Sequence, residues 1–114
     1  MATPPSTSPA TLATRNEVRG VIPRVIELTE SLVYGDIWER PGLSKRDRSL
    51  ITVAALVALS RPDQLKGHTA RALANGVTKE EIGELITHLA FYAGWPSAMS
   101  AAKIAKQVFE ETPA

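Results

Sequence analysis

The chain contains no cysteine, and this absence excludes several classes of chemistry. Without a thiol there is no disulfide, no zinc-thiolate or iron–sulfur site, and no cysteine nucleophile or thiol peroxidase. Histidine is also scarce, because the 2 histidines of the chain are too few for a His-rich metal site. We therefore expect no bound metal ion.

Aromatic residues make up only 5% of the chain, and the formal net charge is +1, so neither sign of charge is in excess. A protein dedicated to nucleic acid usually has a strongly basic face, and we expect no nucleic-acid partner. The longest apolar run, residues 50–59, is about half as long as a bilayer span requires. No basic segment followed by an apolar one resembles a secretory leader, so we expect no membrane partner and a cytoplasmic location.

Hydrophobic residues, in contrast, form 44% of the 114 residues, which is enough for one domain with its own core. Residues 1–14 are rich in Pro, Ser, Thr and Ala and carry no charged side chain. Such a segment cannot bury enough surface to offset its ordering entropy, so we expect a flexible tail before a helical domain over residues 15–114. Nowhere do polar and apolar residues alternate as in a half-buried strand, and the sequence predicts an all-α fold of about five to six helices.

Capping residues mark the ends of the predicted helices. Ser44 is an N-cap residue, and Thr78 with Glu81 forms a T-x-x-E capping box. Glycines close three of the helices. The five predicted helices cover about residues 21–34, 45–60, 62–75, 79–93 and 96–109.

The second of these helices contains the segment SLITVAALVAL, residues 49–59, which is apolar on nearly every face. A helix that is hydrophobic all round must be buried on all sides. Because so short a chain cannot cover every side of it, we expect a second subunit to cover part. The protein is therefore predicted to be a homo-oligomer.

Cations gather near the start of the second helix, where four of them fall within nine residues: Arg40, Lys45, Arg46 and Arg48. The dipole at a helix start favours anions, so cations and free backbone N–H groups there suit an anionic ligand. The planar fork of arginine matches a carboxylate in particular. A solvated turn with local ion pairs, for example between Arg46 and Asp47, is the other interpretation, and the charge pattern by itself favours it.

His68 lies in the middle of the third helix, between an apolar stripe and a polar face. Histidine is the commonest general acid–base group, but a boundary histidine bonded to a carbonyl explains the position more simply. His88 and Tyr92 lie one turn apart on the fourth helix, and they suit either a ligand or a subunit contact. Trp38 is interpreted as a packing anchor, with a pocket wall as the alternative.

Three segments resemble the carboxymuconolactone decarboxylase family. The segment WERPGLSKRDRSLITVAAL (residues 38–56) is similar to the opening signature of the family, LKGHTARALANGVTKEEIGEL (residues 65–85) to its central block and AFYAGWPSAM (residues 90–99) to its closing block. Only the predicted tail and first helix lie outside this resemblance. It implies the all-helical fold of the AhpD-like alkylhydroperoxidases, assembled as an obligate oligomer, a trimer or commonly a hexamer.

The AhpD-like branch carries a C-x-x-C-x-x-x-H motif, with a glutamate twelve residues before the first cysteine. Counted back from His68, the two cysteine positions hold Arg61 and Gln64, and the glutamate position holds Ser49. Only the histidine remains, which removes thiol peroxidase chemistry. The sequence therefore resembles the 4-carboxymuconolactone decarboxylases, which lack the thiols.

This resemblance implies a cofactor-free decarboxylation of 4-carboxymuconolactone to the enol-lactone of 3-oxoadipate, in protocatechuate catabolism by the β-ketoadipate route. The substrate is an unsaturated lactone with two carboxylates. Loss of CO2 leaves an electron pair delocalised into the lactone carbonyl, and this dienolate is then protonated. The alternatives are a family member acting on another unsaturated acid or lactone, and a non-catalytic oligomer that binds a small anion or a partner protein.

The same resemblance implies roles for individual residues. For catalysis we expect His68 to donate the proton, and Glu39 or Tyr92 to orient the histidine or close the pocket. One of the arginines, with Arg48 counted among the catalytic residues, or helix N–H groups should stabilise the enolate oxygen. His88 stands where the decarboxylases are expected to have a non-ionisable polar residue. The predicted substrate-binding residues are Arg40, Arg46, Trp38, Tyr92 and His88.

Overall fold

A computed structural model of the protein describes residues 9–112. This part of the chain contains α-helices joined by short turns and no strand, which confirms the predicted all-α class. The elements are α1 (Pro9–Val18), α2 (Pro23–Leu28), a π-helical turn (Thr29–Val33), a 3-10 turn (Ile37–Glu39), α3 (Lys45–Ala58), α4 (Pro62–Ala74), α5 (Lys79–Ala93) and α6 (Trp95–Glu111). None of the described helices is both long enough and apolar enough to cross a bilayer.

The helix starts follow the local chemistry predicted for them. The Ser44 hydroxyl accepts a hydrogen bond from the Asp47 backbone N–H at 3.0 Å, which confirms the cap of α3. At α5 the capping box is complete, because Glu81 N donates to Thr78 Oγ1 at 3.0 Å and Thr78 N donates to Glu81 Oε1 at 2.9 Å. Gly94 alone joins α5 to α6 with φ of +99°, a conformation that residues with a side chain rarely adopt.

The N-terminal third differs from the sequence expectation. Residues 9–14, assigned to the tail by composition, belong to α1, whereas residues 1–8 lie outside the described part of the chain. Helix α1 packs against α4 and α2. Tertiary contact therefore stabilises a helix that the local sequence does not predict.

The predicted helix over residues 21–34 is also interrupted. It begins as α2 and widens into the π-helical turn, where the Tyr34 N–H bonds to the Thr29 carbonyl five residues earlier at 3.0 Å. Two hydroxyls bond to carbonyls four residues back, Thr29 to Val25 at 2.8 Å and Ser31 to Glu27 at 2.9 Å. Hydroxyls that bond back in this way compete with the α-helical pattern and bend helices, which accounts for the change.

The core lies between α3, α4, α5 and α6, in which α3 packs against the other three helices and α6 packs against α4 and α5. Its buried apolar residues are Val53, Val57, Leu65, Ala72, Val77, Ile82, Ile86, Ala98, Ala101 and Ala105. Helix α4 contacts this core on one side and α1 on the other. The space between α1 and α4 is where the candidate site is found.

The chain covers only one face of α3. Val53 and Val57 are each 1% exposed, whereas Ile51 is 55% and Leu59 is 62% exposed. The segment is thus as apolar as predicted, but a single chain leaves its other face open. Whether a second subunit covers that face stays a prediction.

Candidate functional site

A cavity of about 310 Å³ opens between α1, the π-helical turn and α4. The volume lies at the lower end of the range for small-molecule sites, so a compact ligand would fill it. The lining residues are Thr14 and Arg15 from α1, Thr29 and Tyr34 from the π-helical region, and Asp63, Gln64, Lys66, Gly67 and His68 from α4. Of the predicted catalytic residues, His68 is the one in this wall.

Arg71 stands directly behind the wall, one turn after His68 on α4. It is fully buried, and its guanidinium donates a hydrogen bond to the Tyr34 hydroxyl. The Arg71 Cζ atom lies 4.3 Å from the centre of the Tyr34 ring and 5.3 Å from that of Trp38. Arginine stacks well on aromatic faces, so these rings hold the guanidinium in one position. The cavity is therefore backed by a fixed positive charge.

This arrangement determines the state of His68. Burial and the nearby charge of Arg71 lower the pKa of His68 from 6.5 to about 4, so the imidazole is neutral at neutral pH. Its Nδ1 atom lies 3.4 Å from Nη1 of Arg71. Because a guanidinium can only donate, Nδ1 is the acceptor and the proton of the neutral ring is on Nε2. His68 thus offers an N–H donor rather than a positive charge.

Arg15 forms the α1 side of the same wall. It is 7% exposed, and its Cζ atom lies 5.0 Å from the centre of the Tyr34 ring. Its Nη1 atom is 3.8 Å from Oε2 of Glu30. Glu30 also accepts two hydrogen bonds from Arg19, at 2.7 and 2.9 Å, and these lower the pKa of the carboxyl. Two guanidinium groups therefore share one carboxylate at this edge of the cavity.

The cations predicted as an anion site at the start of α3 have partners within the protein. Arg46 forms an ion pair with Glu81 of α5, and its other contact is with Asp47 at 3.5 Å. Lys45 pairs with Glu39 at 3.0 Å. The contacts of Lys45 and Arg46 are those of the ion-pair interpretation, and a role of this cluster in binding an anionic substrate stays a prediction.

Arg48 and Arg40 also lie outside the lining of the His68 cavity. Arg48 Nη2 donates to the Arg40 carbonyl at 3.2 Å and so ties α3 to the preceding loop. Its Nε atom is buried without a hydrogen bond among the described residues. Trp38 is buried, and its ring centre lies 5.7 Å from that of Tyr34, so it is a packing anchor beside the site.

His88 and Tyr92 stack on each other with ring centres 4.9 Å apart, but both are exposed on α5. His88 lines a different, open groove with Ile51 and Glu84. The pairing of the two rings was predicted from their spacing. Their role in binding substrate stays a prediction, and within one chain they are not part of the His68 cavity.

The positions that carry thiols and glutamate in the AhpD-like branch are occupied differently here. Ser49 is buried and its hydroxyl accepts a hydrogen bond from Asn75 Nδ2 at 2.8 Å. Arg61 and Gln64 are exposed. Among the described residues no group of three His, Cys, Asp or Glu side chains is placed to hold a metal ion. The groups that the structure brings together at the cavity include the imidazole of His68, the phenol of Tyr34 and the guanidinium groups of Arg15 and Arg71.

Three residues of the site were not predicted from the sequence: Arg71, Tyr34 and Arg15. Arg71 follows His68 by three residues on one helix, and this spacing was the available signal that the two side chains meet. Tyr34 and Arg15 come from separate parts of the chain. No local pattern indicates that they meet α4.

A model of the carboxymuconolactone decarboxylase family matches residues 23–107. The chain belongs to this family. The match includes Tyr34, His68 and Arg71, and it confirms the resemblance drawn from the sequence. Helix α1, which carries Arg15, lies before the matched segment.

Individual relatives carry different names. The chain is 46% identical over 78 residues to a 4-carboxymuconolactone decarboxylase of Acinetobacter baylyi, covering 68% of this chain and 58% of the relative. It is 35% identical over 85 residues to a nitrosuccinic acid decarboxylase of Metarhizium robertsii, covering 75% and 59%. It is 37% identical over 81 residues to an uncharacterized 15.0 kDa protein of Paracoccus denitrificans, covering 68% and 60%. The matches thus span less than two thirds of each relative's length.

Proposed function

We propose that the protein is a carboxy-lyase that converts 4-carboxymuconolactone to the enol-lactone of 3-oxoadipate, a step of protocatechuate catabolism. The observation that carries this proposal is the position of His68 in the wall of a compact cavity, beside the buried charge of Arg71. The 46% identity to a protein of that name supports the choice of substrate.

The reaction breaks the bond between the ring carbon and the leaving carboxylate, which departs as neutral CO2. The electron pair moves through the ring alkene to the lactone carbonyl oxygen, so negative charge develops on the ring. The Tyr34 hydroxyl accepts from Arg71 and lines the cavity, which leaves its own hydrogen to donate to that oxygen. Since the substrate itself holds the electron pair, the step requires no cofactor.

Protonation of the dienolate carbon completes the reaction, and His68 is the proposed donor. In the free protein its pKa of about 4 leaves it without the proton to give. A bound carboxylate favours the imidazolium form and opposes the effect of Arg71. His68 therefore gains its proton together with the substrate and transfers it to the ring carbon after CO2 has left.

The test is turnover of 4-carboxymuconolactone, generated enzymatically, by the purified protein without added metal or cofactor. Formation of the enol-lactone is the readout. His68→Gln should lower kcat by about 10²- to 10⁴-fold, the usual contribution of a general acid. Lys103→Gln, a change on the exposed surface of α6, is the control and should retain full activity. Normal turnover by His68→Gln would contradict the proposal that His68 donates the proton. A wild-type protein that does not turn over the lactone would contradict the proposed function.

We also propose that the working form is a homo-oligomer, a trimer or hexamer. The support is a set of large apolar side chains that one chain leaves more than half exposed on three helices: Ile51 and Leu59 around α3, Phe91 and Tyr92 on α5, and Trp95 and Met99 on α6. Exposed apolar groups in such number are typical of protein interfaces. Light scattering after size exclusion tests the assembly, and a monomer at micromolar concentration contradicts it.

A second candidate is decarboxylation of a different carboxylic acid. The 35% identity to a nitrosuccinic acid decarboxylase favours it, because members of one family then differ in substrate. The experiment is a screen of related acids for CO2 release. Release from another acid, with no turnover of the lactone, would replace the first candidate with this one.

A further inference from the structure

Helix α1 contributes a buried arginine to a cavity that otherwise belongs to the family segment. Arg15 is 7% exposed and lines the cavity together with Thr14. The matched family segment begins at residue 23, so both residues lie before it. Arg15 is therefore a charged group at the cavity that the matched family segment does not supply.

The Arg15 side chain is held in place rather than free to follow a ligand. Its guanidinium lies between Glu30 Oε2, at 3.8 Å, and the Tyr34 ring, whose centre is 5.0 Å from Cζ. Glu30 is bound mainly by Arg19, with hydrogen bonds of 2.7 and 2.9 Å. The 3.8 Å contact of Arg15 with Glu30 is longer than a hydrogen bond, so Glu30 orients the guanidinium mainly through its charge. A preorganised guanidinium of this kind suits a planar carboxylate.

The other charges at the cavity are arranged differently. Lys66 lies 3.4 Å from Glu111, and Asp63 adds a negative charge on the same helix. Arg71 is fully buried and stands behind Tyr34 and His68. Arg15 is therefore the arginine that lies in the wall of this cavity itself.

The substrate carries two carboxylates, and the decarboxylation determines which of them a cation in the site should bind. A leaving carboxylate becomes neutral CO2, so a cation bound to it stabilises the substrate more than the transition state and slows the reaction. The carboxylate of the carboxymethyl arm keeps its charge throughout. A cation on that arm binds substrate and transition state equally, which lowers KM without opposing the bond cleavage.

We propose that Arg15 binds the carboxylate that the substrate retains and thereby makes the site selective for lactones that carry this second acidic arm. This assignment rests on the proposed function for the identity of the substrate. Arg15 is a substrate-binding residue that determines specificity, and His68 and Tyr34 act on the ring. Removing Arg15 should raise KM and leave kcat nearly unchanged.

A binding experiment separates this assignment from the function. The probe is furan-2-acetate, a planar five-membered ring with the retained arm and no leaving carboxylate, measured by isothermal titration calorimetry with the full chain. Its neutral methyl ester is the second probe. Arg15→Gln should weaken furan-2-acetate binding by roughly 10- to 100-fold, as expected for a hydrogen bond between charged groups, and should leave the ester unaffected.

Matched variants exclude a merely structural effect. Arg19→Gln removes the same charge from the same carboxylate partner at a residue outside the cavity lining, and it should bind furan-2-acetate within about twofold of wild type. Arg15→Lys keeps the charge without the fork and should restore part of the affinity. Circular dichroism checks that each variant is folded. For the lactone, Arg15→Gln should raise KM by the same factor as the probe affinity falls.

The outcomes distinguish the two proposals. Arg15-dependent binding of furan-2-acetate without turnover of the lactone would support the Arg15 assignment and overturn the decarboxylase function. Turnover with unchanged KM in a folded Arg15→Gln variant would overturn the Arg15 assignment and leave the function. Equal loss of affinity for acid and ester, or in Arg19→Gln, would also overturn it. A wild-type protein that neither binds the probe nor turns over the lactone would overturn both.

Discussion

Acidification should destabilise this protein through His68, and the size of the effect follows from the site. The imidazole is held neutral by burial and by the charge of Arg71, which lower its pKa from 6.5 to about 4. In the unfolded chain the same imidazole binds a proton near pH 6.5. Between these two values the unfolded state binds more protons than the folded state, so stability falls as the pH falls.

The shift in pKa corresponds to about 3 kcal/mol of unfolding free energy, and to about 2 kcal/mol if the partial exposure of the ring weakens it. This loss is complete only below the folded pKa, and above pH 6.5 the effect vanishes. Other groups titrate over the same range. The variant His68→Gln isolates the contribution, because it keeps every other charge and removes only this imidazole.

Urea unfolding followed by circular dichroism at pH values from about 7 to about 4 is the measurement, at one fixed protein concentration. The wild-type protein should lose about 2 to 3 kcal/mol more than His68→Gln over this range. His88→Gln is the control, since it retains His68 and should follow the wild-type curve. Parallel curves for wild type and His68→Gln would refute the proposed burial of His68 beside Arg71.

Further predictions concern local features of the fold. Tyr34→Phe removes the hydroxyl that accepts from the buried Arg71 and should lower the unfolding free energy by about 1–3 kcal/mol; an unchanged melting temperature would contradict the bond. Thr78→Ala removes the capping box with Glu81 and should cost about 1 kcal/mol in urea unfolding, so an effect below about 0.3 would argue against the cap. Gly76→Ala meets no atom within 4 Å but has φ of +99°, so it should lower thermal stability by about 1 kcal/mol through backbone strain alone, and a stabilised variant would refute this.

The bundle itself was largely predictable because helix boundaries depend on nearby residues. The caps at Ser44 and Thr78 and the turn at Gly94 each involve atoms within a few residues along the chain. Hydrogen bonds between residues close in sequence depend on residue type at fixed spacing, and the sequence shows that spacing. The exceptions were α1, whose first residues were assigned to a tail, and the segment around Thr29. At Thr29, hydroxyls that bond to the preceding turn change an α-helix into a π-helical turn.

Of the site residues that the sequence nominates, His68 is the one that lines the described cavity, and the roles of all of them stay predictions. The cations near α3 look like an anion site in the sequence, yet Arg46 is paired with Glu81, 35 residues further along. No pattern in the sequence around Arg71 indicates burial, yet this residue is fully buried. In both cases the partner that fixes the arginine, Glu81 for Arg46 and Tyr34 for Arg71, is distant in sequence. Composition and local spacing therefore do not indicate the contact.

The sequence by itself determined the helical class, the helix starts and the absence of thiol chemistry, because these depend on residue type and short-range spacing. Only the tertiary structure decided which charged side chains lie together at the cavity. It brings Tyr34 to Arg71 across 37 residues and places Arg15 of α1 against the same ring. Burial of His68, with the fixed charge of Arg71 beside it, lowers the pKa of the imidazole, and burial is a property of the packed chain alone.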